Sequence, residues 1–270
     1  MTSGTVSVNG ADLYYDEAGV GQPIVLVHGN AVDRRMWDDQ MEAFAAIGRV
    51  IRYDARGFGR STFPSDQYAH YRDLGSLLTE LDASPAHLVG LSMGAAIAIN
   101  VALAYRDRVR SLVITPGGLG GYVWPEDFRA GFSAFAQAAA AGDKRRATEL
   151  MLDFPPMRPA RAIHALRARL EAMTSEYSWA HFLSDAPRAV ALEPPAAERL
   201  QEIAVPTLVV VGERDMDAMH VQADFIAARI AGARTVRIAG SGHMTNMEAP
   251  GEFNTAVLDF IQKQSASAGR

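Results

Sequence analysis

The stretch 90–94, Gly-Leu-Ser-Met-Gly, has the residue types and spacing of a turn that exposes a nucleophilic serine. An apolar run precedes it and an Ala/Ile-rich segment, 95–104, follows it, which predicts a strand, a sharp turn and a helix. Such a turn would hold Ser92 in a strained backbone conformation, with its hydroxyl at the carboxyl end of a sheet. The flanking glycines fit because side chains there would collide with the strand and helix. A serine that only caps a helix would not need them, so we interpret Ser92 as a nucleophile.

A serine hydroxyl is a weak nucleophile near neutral pH, so it needs a base and an orienting acid. His243 stands in Gly-Ser-Gly-His-Met, after a predicted strand and before the last predicted helix, and we interpret it as the base. Asp215 follows the apolar run 209–211, at the end of another predicted strand. It is the predicted acid, which would hold the His243 tautomer and stabilise the imidazolium. Glu213 and Asp217 are the alternatives for this role.

The other histidines lack such a setting. We interpret His28 as a structural hydrogen-bonding residue that packs its turn, and not as a catalytic one. The rest are interpreted as structural or surface residues: His70, His87, His164, His181 and His220.

A tetrahedral intermediate would also need hydrogen-bond donors for its oxyanion. The turn that begins at His28 follows a predicted strand and can aim backbone N–H groups at the reacting carbonyl. The backbone N–H of Asn30, with Ala31 as the alternative, would act together with that of Met93. Loss of one such donor typically costs about 3–4 kcal/mol of transition-state stabilisation.

The elements that position these residues alternate between short β-branched runs and helical patterns. Nearly continuous apolar runs are typical of strands buried on both faces of a parallel sheet. Asn9-Gly10 supplies the positive φ angles of a tight hairpin between the first two strands. The pattern predicts an α/β fold, a mostly parallel, doubly wound sheet with an antiparallel N-terminal edge. Strands are predicted at 5–8, 13–15, 23–27, 50–53, 87–89, 112–115, 207–211 and 235–238, and helices at 68–81, 93–105, 221–230 and 252–262.

One stretch, 119–195, breaks the alternation, because it contains no convincing strand and is rich in Ala, Arg and aromatic residues. We interpret it as a helical insertion, a cap or lid over one end of the sheet, with residues 1–118 and 196–270 forming the core. Helices are predicted from Pro125 to Gly142 and at 143–152, 161–173 and 179–183, with a loop or extended connection at 154–159.

Pocket residues are expected from this cap and from methionines that directly follow the proposed catalytic residues. An apolar lining would favour hydrophobic acyl groups, although Arg158 or Arg161 could bind a carboxylate. The predicted substrate-binding residues are Trp124, Phe128, Phe132, Phe135, Trp179, Met216 and Met244.

Composition excludes several classes of function. The formal net charge of −5 argues against a nucleic-acid partner, and the absence of cysteine excludes disulfides, thiolate metal sites and a cysteine nucleophile. The first ten residues do not resemble a secretory signal, and no apolar run reaches the roughly 20 residues that span a bilayer. We therefore expect a cytoplasmic protein without a nucleic-acid or membrane partner; the sequence leaves the oligomeric state open.

Taken together, the motifs and their order resemble the α/β-hydrolase superfamily over essentially the whole chain. The resemblance implies the α/β-hydrolase fold with a helical cap and a Ser-His-Asp triad, and it makes the segment 54–61 a structural turn. The motifs are His28-Gly29, Asp54-x-Arg56-Gly57-x-Gly59-x-Ser61, Gly90-x-Ser92-x-Gly94, Gly212-x-x-Asp215 and Gly242-His243.

Within the superfamily, the chain is similar to small serine esterases and to 3-oxoadipate enol-lactonases. Haloalkane dehalogenases share His-Gly-Asn but use an aspartate where this chain has Ser92. The resemblance implies cleavage of a small carboxylic ester or lactone through an acyl-enzyme, with no metal or organic cofactor. It leaves open the perhydrolases (cofactor-free haloperoxidases), carbon–carbon bond hydrolases, hydroxynitrile lyases, acyltransferases and hydrolase-like small-molecule receptors.

Overall fold

An eight-stranded sheet forms the centre of the computed structural model, which describes residues 1–63, 65–183, 185–187 and 189–267. The strands lie in the order β1-β2-β4-β3-β5-β6-β7-β8. The pairs β1/β2 and β2/β4 are antiparallel and all other pairs are parallel, which confirms the predicted fold class. The bounds are β1 (Thr2–Val8), β2 (Ala11–Ala18), β3 (Pro23–Val27), β4 (Arg49–Tyr53), β5 (Ala86–Leu91), β6 (Val109–Thr115), β7 (Thr207–Gly212) and β8 (Arg234–Ile238).

The N-terminal hairpin forms as the Asn-Gly pair predicts. Asn9 and Gly10 adopt φ angles of 46° and 76°, and Val8 pairs with Ala11 across the turn. The Asn9 side chain also donates a hydrogen bond to Asp73 at 3.0 Å, which ties the turn to the core.

Helices cover both faces of the central strands, since every residue of β5 and of β7 is buried. Two helices, α1 and the short α9, lie where no helical pattern was predicted. The helices in the described residues are α1 (Asp38–Ala45), α2 (His70–Glu80), α3 (Met93–Ala104), α4 (Glu126–Ala140), α5 (Lys144–Leu152), α6 (Arg158–Ala162), α7 (His164–Glu176), α8 (Asp217–Ala227), α9 (Thr245–Glu248) and α10 (Pro250–Ser267). None of them is long and apolar enough to cross a membrane.

The turn after β4 has the structural role that was expected of segment 54–61. The Asp54 carboxylate is buried and accepts hydrogen bonds from the backbone N–H groups of Arg34 and Arg60, both at 2.9 Å. Gly59, at φ 49°, leaves room for this carboxylate, because a β-carbon there would overlap it. Asp54 therefore joins the turn to the loop that follows β3.

Between β6 and β7 the chain forms α4 to α7, in the segment where a helical cap was predicted. The prediction of a loop or extended connection at 154–159 was wrong. A 3-10 turn occupies Pro155–Met157 and α6 follows it at once. The prolines fit because they stand in the first turns, where a missing N–H breaks no helical hydrogen bond.

Candidate active site

Ser92 stands at the sharp turn between β5 and α3. Its backbone has φ 58° and ψ −115°, a strained conformation for a residue with a side chain, and its N–H donates to the Thr115 carbonyl at 2.9 Å. A β-carbon on residue 94 would overlap the Val27 carbonyl oxygen, and one on residue 90 would overlap the Gly94 backbone. Both positions must therefore be glycine, because neighbouring backbone approaches each of them closely, as the sequence predicts.

His243 and Asp215 are joined by a hydrogen bond of 3.0 Å between Nδ1 and Oδ2, and both side chains are buried. They follow β8 and β7, so both lie at the carboxyl edge of the sheet. Because the carboxylate can only accept, Nδ1 carries the proton and Nε2 keeps a free lone pair. The alternatives for the acid, Glu213 and Asp217, are exposed and make no hydrogen bond to His243 within the described chain.

The loop around His243 is held by a carboxylate that sequence reasoning missed. Glu248, at the end of α9, accepts hydrogen bonds from the backbone N–H groups of Gly242 at 2.7 Å and Met244 at 3.0 Å. A glutamate at the end of a short helix carries no signal for this role in the sequence.

The predicted oxyanion donors line the same cavity as Ser92 and His243. Asn30 and Met93 are among its lining residues, whereas Ala31 is fully buried and is not. Neither the Asn30 nor the Met93 backbone N–H donates to a protein acceptor within the described ranges. Two residues that line one cavity thus keep backbone N–H groups without an acceptor in the described chain, and an oxyanion requires donors of this kind.

His28 has the structural position that was expected. Its Nε2 accepts a hydrogen bond from the Ala55 N–H at 2.9 Å, and its Nδ1 donates to the Gly29 carbonyl at 2.7 Å. Complete burial lowers the pKa of His28, so the ring is neutral. Both nitrogens are occupied by backbone, which leaves none for proton transfer.

The cavity has a volume of about 440 Å³, and its wall is mostly apolar. No Asp, Glu, Lys or Arg of the described chain lines it. Met219 and Met244 come from the core, and the insertion between β6 and β7 contributes Phe128, Phe132, Phe135, Met151, Phe154, Pro156, Met157 and Phe182.

Three predicted substrate-binding residues lie elsewhere, and their assignment is corrected here. Trp179 is buried within the insertion, where its Nε1 donates to Thr148 at 3.2 Å. Trp124 stacks on Phe128, at 4.0 Å between ring centroids, but does not line the cavity itself. Trp124 and Met216 line a separate surface groove.

The two arginines considered for a carboxylate also lie outside the cavity. Arg158 donates to the Asp153 carbonyl at 2.7 Å, and Arg161 pairs with the Asp153 side chain. Within the described ranges, the cavity therefore has no cation that could pair with a charged substrate.

A second feature missed by sequence reasoning is the loop after β6. Gly117 has φ 151°, and a β-carbon there would stand 2.6 Å from Ser92 Oγ. Its N–H donates to the buried Gln222 side chain at 2.7 Å. The glycine pair at 117–118, directly after a predicted strand, was the available signal for a close approach of backbone.

Within the described residues no group of three His, Cys, Asp or Glu side chains could hold a metal ion.

Comparison with known proteins agrees with this geometry. Residues 24–256 match the model of the alpha/beta hydrolase family. A putative carbamate hydrolase, RutD, of Azorhizobium caulinodans is 31% identical over 93% of this chain and 95% of its own. Among solved structures, Est816, described as an N-acyl homoserine lactone degrading enzyme, has a TM-score of 0.77 and 29% identity over 95% of this chain and 100% of its own. The enol-lactonase from Burkholderia xenovorans has a TM-score of 0.80 and 25% identity, with 96% and 100% covered. The chain therefore belongs to the α/β-hydrolase family, and this similarity supports hydrolase activity on a small-molecule substrate.

Proposed function

We propose that the chain is a serine hydrolase that cleaves an uncharged carboxylic ester or lactone with an apolar acyl group. One observation carries the proposal: Ser92 and His243 line one cavity whose lining, among the described residues, contains no Asp, Glu, Lys or Arg, and Asp215 holds the Nδ1 side of the imidazole. A strained serine, a base with a free nitrogen and a buried acid are the parts that nucleophilic acyl transfer needs.

The reaction begins when His243 Nε2 takes the proton of Ser92 as Oγ attacks the carbonyl carbon. The carbonyl π electrons move to oxygen, and the Asn30 and Met93 N–H groups stabilise the resulting oxyanion. Met93 opens α3, so the positive end of the helix dipole also faces this charge.

The oxyanion then collapses and expels the alkoxide, which takes the proton from the His243 imidazolium. Asp215 stabilises that imidazolium while it exists. In the second half, His243 removes a proton from water, and the hydroxide attacks the acyl-enzyme carbonyl. Ser92 leaves with the proton, and the carboxylic acid is released.

The wall of the cavity supports an uncharged substrate. Moving a carboxylate from water into an apolar cavity costs several kcal/mol when no cation compensates it, and Arg158 and Arg161 are both held by Asp153. N-acyl homoserine lactones, the compounds named for one structural neighbour, are uncharged lactones and fall within the proposed class.

The proposal is tested with two 4-nitrophenyl esters of equal acyl length, hexanoate and the adipate monoester, whose free end is a carboxylate. We expect kcat/KM to be at least 100-fold higher for hexanoate, and Ser92→Ala to abolish turnover of both. Ser133→Ala, which removes a half-buried serine of α4 that does not line the cavity, should keep full activity. Hydrolysis retained by Ser92→Ala, or a preference for the adipate monoester, would contradict the proposal.

The alternatives are separated by adding other reactants to the same assay. A 1,5-diketone reports carbon–carbon cleavage, and hydrogen peroxide with a carboxylic acid reports perhydrolysis. Faster turnover of either than of any ester would replace the ester assignment. A single slow turnover, with no further cycles, would favour a small-molecule receptor.

A further inference from the structure

Two polar side chains of the cavity have no part in the proposed reaction. His70 is the first residue of α2, and Asn100 lies in the third turn of α3; both line the cavity that contains Ser92. Apart from them, the lining side chains of the described residues that could hydrogen-bond to a ligand belong to Asn30, Ser92, His243 and Tyr71. The Tyr71 hydroxyl accepts a hydrogen bond from Arg72 at 3.2 Å.

His70 is half-buried, and its hydrogen bonding differs from that of three other histidines of the described chain. His28 is bonded through both ring nitrogens, His87 is bonded to Ser111 at 2.7 Å, and His181 is bonded to Tyr177 at 2.7 Å. The His70 ring makes no hydrogen bond within the described residues, and its Nδ1 is buried. His87 and His181 each keep one buried nitrogen without a partner as well, but each is bonded through the other. In His70 the Nδ1 atom is closed to solvent, so Nε2 is the ring nitrogen that a ligand in the cavity can reach.

The surroundings of His70 keep the ring neutral. Burial lowers its pKa to about 3, helped by His181, His28 and Arg56. The ring packs edge-on against Tyr68, with 4.9 Å between centroids, so its orientation is fixed. At Nε2 a neutral imidazole can either donate or accept a hydrogen bond, according to its tautomer.

Asn100 lies on the face of α3 that forms one side of the cavity. Met93, Ala96, Ile97 and Asn100 follow the i, i+3, i+4, i+7 spacing of one helix face, and all four line the cavity. Asn100 lies about 10 Å along the helix from Met93, at a rise of 1.5 Å per residue. Its partly buried carboxamide makes no hydrogen bond to any described residue.

We propose that His70 and Asn100 form a subsite that binds an uncharged group with both a hydrogen-bond donor and an acceptor, of which a secondary amide is the simplest. This inference rests on the proposed hydrolase function, because it assigns the part of the substrate remote from the scissile carbonyl. An imidazole and a carboxamide both offer the donors and acceptors that an amide requires. A carboxylate would supply only acceptors and an unpaired charge, whereas an alkyl chain would leave both side chains without partners.

The test uses three 4-nitrophenyl esters whose acyl chains all contain nine chain atoms: nonanoate, 3-pentanamidopropanoate and 6-acetamidohexanoate. They differ only in whether an amide replaces two methylenes and where it stands. We expect the better amide ester to exceed nonanoate in kcat/KM by at least 10-fold, because a site built for hydrogen bonds rejects an analogue that lacks them.

Two variants test whether His70 and Asn100 cause the preference for an amide ester over nonanoate. His70→Phe keeps an aromatic ring against Tyr68, and Asn100→Leu keeps the side-chain volume. Each should lower kcat/KM for the amide ester at least 10-fold and leave that for nonanoate within about 3-fold. His181→Phe is the matched control, since His181 is a neutral histidine in the same aromatic cluster but does not line the cavity. Equal losses on both esters, or the same change in His181→Phe, would overturn the subsite.

A binding measurement separates failure of the subsite from failure of the proposed reaction. The methyl esters of the same three acids are titrated by calorimetry into Ser92→Ala, with and without His70→Phe. Tighter binding of the amide ester that disappears with His70→Phe supports the subsite even if no ester is hydrolysed. Ester hydrolysis without any amide preference overturns the subsite and leaves the reaction intact.

Discussion

The Glu248 carboxylate holds His243 from both sides. Oε2 accepts from the N–H of residue 242 at 2.7 Å and Oε1 accepts from the N–H of residue 244 at 3.0 Å, so the backbone before and after the histidine is fixed to one rigid group. Burial raises the pKa of Glu248, and these two N–H donors oppose the increase. The base of the proposed reaction is thus positioned twice, by Asp215 at its ring and by Glu248 at its backbone.

Glu248→Gln should lower kcat about 10-fold with KM nearly unchanged. The amide nitrogen cannot accept a hydrogen bond, so one of the two backbone donors loses its partner and the loop loosens. The measurement is steady-state kinetics on a neutral ester. Glu252→Gln, an exposed glutamate in the first turn of α10, is the control and should behave as wild type. A rise in KM with unchanged kcat would show that Glu248 shapes the cavity and does not position the base.

Gly117→Ala should lower kcat/KM at least 100-fold while the chain still folds. The new β-carbon would stand 2.6 Å from Ser92 Oγ, and φ 151° is unfavourable for alanine. Gly120→Ala provides the matched comparison in the same loop, because a β-carbon there meets nothing within 4 Å. Circular dichroism checks the fold of both variants. Normal activity of Gly117→Ala would mean that the loop moves away from Ser92 during catalysis.

Asp215→Asn should lower kcat by about 10³- to 10⁴-fold, because an asparagine can donate to Nδ1 and so favours the wrong imidazole tautomer. Asp217→Asn removes the exposed carboxylate two residues further along and should change kcat less than 2-fold. Both variants are compared on the same ester at saturating concentration. The reverse ranking would assign the acid to Asp217.

The stability of the protein should fall as the pH is lowered from about 6.5 toward 4. Burial lowers the pKa of His70 to about 3 and the pKa values of His87 and His181 to about 4, so the unfolded chain binds protons that the native chain refuses. Each such histidine should contribute a slope of about 1.4 kcal/mol per pH unit in this window. Their stabilising contribution is complete above pH 6.5 and is lost toward the folded pKa values.

Urea unfolding at pH 7, 6 and 5 measures this slope. His87→Leu should reduce it by about 1.4 kcal/mol per pH unit between pH 6 and 5, whatever its effect on absolute stability. His164→Leu, which removes an exposed histidine, should keep the wild-type slope. A wild-type slope in His87→Leu would contradict the role of burial.

The candidate triad could be predicted because strand ends are visible in the sequence. Ser92, Asp215 and His243 each come shortly after a strand that the sequence predicts, and parallel strands bring their carboxyl ends to one edge. The hairpin at Asn9 and Gly10 could also be predicted, because the φ angles that its turn requires depend on these two residues alone.

The cavity-lining residues of the insertion between β6 and β7 could not be predicted from the sequence. Phe135 and Trp179 are both fully buried aromatics, yet of the two only Phe135 lines the cavity. The packing of each helix or turn of the insertion decides which ring lines the cavity. The roles of Glu248 and Gln222 could not be predicted for a related reason. Each side chain accepts from backbone N–H groups, Gln222 from far along the chain and Glu248 from a neighbouring loop, and such hydrogen bonds leave no periodic pattern in the sequence.

The central claim, that Ser92 forms an acyl-enzyme, is tested most directly by mass spectrometry of the protein quenched in acid during turnover of 4-nitrophenyl hexanoate. We predict a covalent hexanoyl adduct on the peptide that contains Ser92, and its absence in Ser92→Ala. An adduct on another residue, or sustained turnover by Ser92→Ala, would contradict the proposed mechanism.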